Sequence, residues 1–132
     1  MDSMKKNNAF TLVEILIVVG IIASLAALAI PYLLRARITA NDAVVKSTLN
    51  STAKAMETYL LSTGSYPAAI SQLTTASPPY MNQNYFGGTY FGFVFTSTLA
   101  ADSYILTATP VSIGRTGSTT FTVITGGVLQ GQ

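Results

Sequence analysis

The chain contains no cysteine, no histidine and no tryptophan, and only 9% of its side chains are charged. Without cysteine and histidine there are no disulfides, no thiol nucleophile, none of the usual zinc ligands and no imidazole base. A catalytic site would have to be built from Asp42, Glu57, Asp102, hydroxyls or lysines, and no two carboxylates stand in a recognisable motif. The expectation is a protein that is not an enzyme and that uses no cofactor and no metal. Seven basic residues against five acidic leave a net charge of +2, with no basic run interleaved with aromatics. The electrostatic footprint of a nucleic-acid binder is missing, so no nucleic-acid partner is expected. The 132 residues leave room for one membrane segment and one small globular part, not for two soluble domains.

What the sequence does have is one long apolar run, Phe10 to Pro31, with no charged side chain from Ile15 to Leu34. It carries most of a mean hydropathy of +0.46. About 20 apolar residues in a helix match the ~30 Å hydrocarbon core of a bilayer. Only a helix or a closed barrel satisfies its own backbone in lipid, so a single such segment reads as one spanning helix. Glu14 lies inside the start of the run, where a charge costs up to roughly 3 kcal/mol and asks for a partner. Lys5 and Lys6 precede the run and Arg35 and Arg37 follow it, so flanking charge leaves orientation open. Processing is open too at this level: Ala27-Leu28-Ala29 has the small residues of an ordinary signal cleavage site, which would discard the segment. Against that stand Glu14 within the apolar region and Pro31 just behind the cut.

The residues that decide between these are Lys5-Lys6, then Phe10-Thr11-Leu12-Val13-Glu14, then the apolar helix to Pro31. This N-terminus resembles that of type IV pilins and the related pseudopilins. The resemblance implies that a prepilin peptidase cuts between Ala9 and Phe10, that Phe10 becomes the N-methylated mature N-terminus, and that the helix is retained. It also implies that Glu14 pairs with the amine of Phe10 during assembly. One position departs from the family, which nearly always has glycine before the cut; Ala9 adds only a methyl, so the site is expected to be weakened rather than lost. Gly20 and Pro31 are soft points of a helix on physical grounds, and the family likeness makes them positions where the helix loosens in a filament.

Beyond Arg35 the pattern becomes amphipathic. Ile38, Val45, Leu49, Thr52, Met56 and Leu60 recur at helical spacing, with Lys46, Asn50, Lys54 and Glu57 assigned to the opposite, solvated face. Gly64 and Pro67 are stop signals, so one helix is expected from about Thr11 to about Ser62, roughly 75 to 80 Å long. Residues 63 to 88 read as an irregular connector in which Tyr66, Tyr80, Tyr85 and Phe86 pack down. Alternation then predicts strands over Tyr90 to Thr96, Ser103 to Thr109 and Thr119 to Thr125, with Gly126-Gly127 turning into Val128-Leu129 as an antiparallel meander. Phe91, Phe93, Phe95, Phe121 and Val123 are assigned to the face that covers the helix, and Pro110 to the end of the second strand. This spacing is similar to the C-terminal sheet of many pilins. Aromatic side chains, 10% of the chain, are read as core and interfacial anchors, not as a stacked conduit through Phe10, Tyr32 and Tyr59.

The expected fold is therefore α+β, a long N-terminal helix packed against a small antiparallel sheet, the pilin fold. The segments are a leader (1–9), a transmembrane and filament-core helix (10–34), an amphipathic helix half (35–62), and a connector with sheet (63–132). The resemblance implies a structural subunit that polymerises with itself after leader cleavage and methylation. Its expected partners are the peptidase and methyltransferase, the assembly platform and ATPase, and the lipid bilayer. Its expected location is a bacterial inner-membrane precursor followed by an extracellular filament. A secretion pseudopilin in a periplasmic pseudopilus, or a single-pass anchored binding module that never polymerises, are the alternatives.

Overall fold

The computed structural model describes residues 10–131. One helix, α1, covers Leu12–Thr63 without interruption, within a residue of the expected bounds at each end, and Pro31 lies inside it. The chain divides into two compact units at Arg35. The first is the apolar part of α1, whose most hydrophobic 18-residue window has a mean hydropathy of 2.7 and buries none of its residues within the chain. Side chains as large as Leu12, Leu16, Leu28 and Ile30 are all more than half exposed. A helix that is apolar on every face and covered by nothing of its own belongs in lipid or among other helices.

The second unit, residues 36–132, is α+β. The C-terminal half of α1 lies against a five-stranded antiparallel sheet of β1 (Thr89–Tyr90), β2 (Phe93–Leu99), β3 (Tyr104–Pro110), β4 (Phe121–Ile124) and β5 (Val128–Gly131). Neighbours in sequence are neighbours in space throughout. The helix contributes Val45, Leu49, Ala53 and Met56 to one core, and the sheet contributes Phe93, Phe95, Tyr104, Leu106, Ala108, Phe121 and Val123. Along β3 the residues alternate buried and outward, which is the period-2 pattern read from the sequence. Ile38 and Leu60, at the two ends of the predicted helical stripe, are only partly buried.

Three expectations are corrected. The first predicted strand is really two: Phe91-Gly92 forms a two-residue turn between β1 and β2, with Tyr90 paired to Phe93 and both turn residues at positive φ, 54° and 76°. That is the type I′ geometry that matches strand twist, and it turns Phe91 outward, 43% exposed, instead of onto the core face. The alternation Phe91, Phe93, Phe95 concealed it, because a bulky residue is rare at positive φ. Next, the connector is not wholly irregular. A short helix, α2 (Ser71–Thr75), buries Leu73, whose carbonyl accepts from Tyr80 N–H at 2.8 Å and Met81 N–H at 3.2 Å. Lastly, the third strand is shorter than expected, because residues 111–120 form a long loop rather than leading straight into β4. Gly117 in that loop lies against the Phe93 ring with no room for a Cβ.

Because its core closes on itself, residues 37–132 expressed alone should fold as a monomer. Circular dichroism is expected to show mixed helix and strand with a cooperative melt. An unfolded or purely helical fragment would contradict this architecture.

Candidate functional site

At the start of α1, Thr11 and Glu14 hold each other. The Glu14 N–H donates to Thr11 Oγ1 at 3.2 Å, and Glu14 Oε2 accepts from both the Thr11 N–H and the Thr11 hydroxyl, each at 2.8 Å. This is a capping box: a helix start leaves N–H groups without partners, and a Thr-x-x-Glu pair satisfies two reciprocally. The sequence carries this signal as Thr11-Leu12-Val13-Glu14, in the same residues that read as a charge entering lipid. Phe10 stands outside the helix and is 82% exposed. Ala9, Lys5 and Lys6 lie outside the described residues. The Phe10 amine assigned to Glu14 as a partner exists only once the chain is cut.

Further along, none of the described residues lies within 4 Å of where a Cβ on Gly20 would sit, so no close approach among them demands glycine there. The Ser24 hydroxyl donates to the Gly20 carbonyl at 2.9 Å. Pro31 brings no N–H to the carbonyl four residues earlier, yet the helix runs through it. Tyr32 is 78% exposed at the end of the apolar run. In the globular unit most aromatic contacts are edge-on pairs, such as Tyr59 with Tyr80 at 5.4 Å and Tyr66 with Tyr104 at 4.9 Å between ring centroids, while Phe93 stacks on Phe121 at 6.1 Å.

The residue most misjudged by spacing is Glu57. It is not on a solvated face. Its Oε1 accepts from the Tyr104 hydroxyl (2.9 Å) and the Gly126 N–H (3.0 Å), and the Tyr66 hydroxyl reaches both carboxylate oxygens at 3.1 Å. The Tyr104 oxygen in turn accepts from Gly127 N–H at 3.2 Å. One carboxylate thereby ties α1 to the connector, to β3 and to the β4–β5 turn. At the other end of the sheet, Asp42 accepts from Ser118 N–H at 3.1 Å and Asn41 Nδ2 donates to the Thr116 carbonyl at 2.8 Å. Burial, followed by the hydrogen bond to Glu57 and its charge, holds the phenols of Tyr66 and Tyr104 above the usual tyrosine range. Among the described residues no three His, Cys, Asp or Glu side chains come together as metal ligands would.

With this geometry in place, comparison with known proteins is informative. Residues 4–30 match the family described as the prokaryotic N-terminal methylation motif. The chain is 47% identical over 79 residues to the type IV wide pilus major component PilA4 of Thermus thermophilus, a match covering 58% of this chain and 60% of that protein. No solved structure matches the chain.

Glu57→Ala should destabilise the globular unit by about 2 to 4 kcal/mol, since two phenols and a backbone N–H lose their shared acceptor, whereas Glu57→Gln should cost less. The raised tyrosine values carry a pH signature. A phenol whose folded value lies above its unfolded one stabilises fully below pH about 10 and loses that contribution as pH rises through the folded value. Thermal melts should therefore fall steeply above that pH, and Tyr104→Phe should flatten the fall; an unchanged alkaline profile would remove the phenol from the network.

Proposed function

We propose that this chain is a type IV pilin, a pilus subunit made as a single-pass membrane precursor, cut after Ala9, N-methylated at Phe10 and polymerised into a filament; the methylation motif and the pilin relative support that reading. The observation that carries the reading is the methylation motif over residues 4–30, which spans the expected cut and Glu14. The relative's name, a major component of a wide pilus, favours a pilus over a secretion pseudopilus. The architecture supports the same reading. An apolar helix covered by nothing in its own chain has lipid as its solvent before assembly and neighbouring helices afterwards. The role is structural rather than catalytic, and the partners are further copies of the chain, the prepilin peptidase and methyltransferase, and an inner-membrane assembly platform with its ATPase.

Within this reading Glu14 has two separable jobs. It caps the helix through Thr11, and its charge meets the amine of Phe10 once the leader is gone, offsetting the cost of burying either alone. Glutamine also serves in a capping box, so Glu14→Gln keeps the cap and removes the charge, whereas Glu14→Ala removes both. N-terminal sequencing and intact mass of the membrane protein should give a chain beginning with N-methylated Phe10. Glu14→Gln should remain membrane-inserted and be cut after Ala9, yet yield few sheared surface filaments. A mature chain starting at Ile30 would sink the pilin reading, and undiminished filaments from Glu14→Gln would remove the charge from the mechanism.

A further inference from the structure

Within the globular unit a groove of about 420 Å³ lies between α1 and the stretch of connector that follows α2, and no charged side chain lines it. That volume is in the range of small-molecule sites. The helix wall is a row of hydroxyls, Ser47, Thr48 and Ser51. Ser51 donates its hydroxyl hydrogen to the Ser47 carbonyl at 2.8 Å, and Thr48 donates to the Val44 carbonyl at 2.9 Å. With those hydrogens committed to the helix, the two oxygens offer a ligand only lone pairs.

The opposite wall is held in place by the chain itself. The N–H groups of Tyr80 and Met81 both donate to the Leu73 carbonyl, the Tyr80 hydroxyl lies 2.6 Å from Ser62 Oγ, and the Tyr85 ring stands edge-on to Tyr90 at 5.3 Å. Between these two fixed tyrosines the Asn82 and Gln83 side chains line the groove. Both are exposed, and among the described residues neither amide has a hydrogen-bond partner. The ionisable groups of this part of α1 are placed elsewhere. The Lys46 ammonium sits over the Phe121 ring, 4.7 Å from its centroid, and Lys54 and Glu57 line a separate groove beside Gly126-Gly127.

This lining selects a class of ligand. A charged molecule finds no counterion, and an apolar one would cover hydroxyl oxygens and amides without pairing them. A peptide backbone brings as many acceptors as donors, whereas the helix wall asks for donors. A saccharide brings hydroxyls that donate to one wall and accept from the amides of the other, together with C–H faces suited to the apolar bodies of tyrosines. We propose that this groove binds a small neutral saccharide, with the Thr48 and Ser51 oxygens accepting from its hydroxyls and the Asn82 and Gln83 amides donating to them.

The site belongs to the globular unit alone and is independent of polymerisation. Full-length protein in dodecylphosphocholine micelles, which contribute no sugar, is titrated with maltose, lactose, chitobiose and the blocked peptide acetyl-Gly-Ser-Gly-amide, and binding is read by saturation-transfer difference NMR. At least one sugar should receive saturation. Asn82→Ala together with Gln83→Ala should weaken its binding roughly ten-fold, the effect of two hydrogen bonds of ordinary strength. Ser51→Phe, which fills the groove from an exposed position of α1, should abolish binding, and Thr109→Ala, exposed on β3, should leave it unchanged. Failure of all three sugars to receive saturation overturns the proposal. Transfer that survives both groove variants places the sugar elsewhere, and transfer to the peptide but to no sugar gives the groove to a peptide; either result overturns it as well. An N-terminus other than Phe10 bears on the pilin reading alone.

Discussion

The globular unit depends on one carboxylate. Glu57 takes hydrogen bonds from two phenols and a backbone N–H drawn from three separate stretches of chain, so a single helical side chain sets where the connector, β3 and the β4–β5 turn stand. Apolar burial drives the sheet onto the helix but is indifferent to small slides along it. Directional acceptors are not indifferent. Asp42 performs the same service fifteen residues earlier, four turns along α1, for the loop that leads into β4. The two acids therefore fix the sheet on the helix at both ends, while the core between them supplies the drive.

This use of acids also explains the outward face of the protein. Of the four carboxylates among the described residues, three, Glu14, Asp42 and Glu57, accept hydrogen bonds that hold the chain's own backbone or phenols. Among the described residues most of the acids are engaged within the chain, whereas Arg35, Arg37, Lys46, Lys54 and Arg115 are exposed. That asymmetry is invisible in a net charge of +2.

Much of the fold was legible because the relevant signals are periodic and long. The helix bounds, the antiparallel order and the buried residues of the last strands follow from spacing and from glycine and proline stops. What escaped was local and non-periodic. Glu57 lies at the border of the helical stripe, where spacing alone cannot tell a solvated acid from one that tyrosines distant in sequence will meet. The Phe91-Gly92 turn hid inside an alternation of phenylalanines, because nothing in residue type announces positive φ at a bulky side chain. Leu73 was missed since a five-residue helix is too short to show a period. At the N-terminus a charge in an apolar run is the conspicuous feature of Glu14, and its capping partner three residues before is an ordinary threonine.

That partner changes what the presence of Glu14 implies. An acid in an apolar helix looks at first like a cost that only a distant cation could repay. In the structure its carboxylate already accepts the N–H and hydroxyl of Thr11, and a negative charge in the first turn is further favoured by the helix dipole. Capping alone is thus sufficient reason for a hydrogen-bonding side chain at this position, with or without a filament. It is not sufficient reason for a charged one, because a neutral amide accepts the same two bonds without the penalty of carrying a charge toward lipid. The case for an ionic partner therefore rests on the difference between glutamate and glutamine, and on an amine that only cleavage before Phe10 can create.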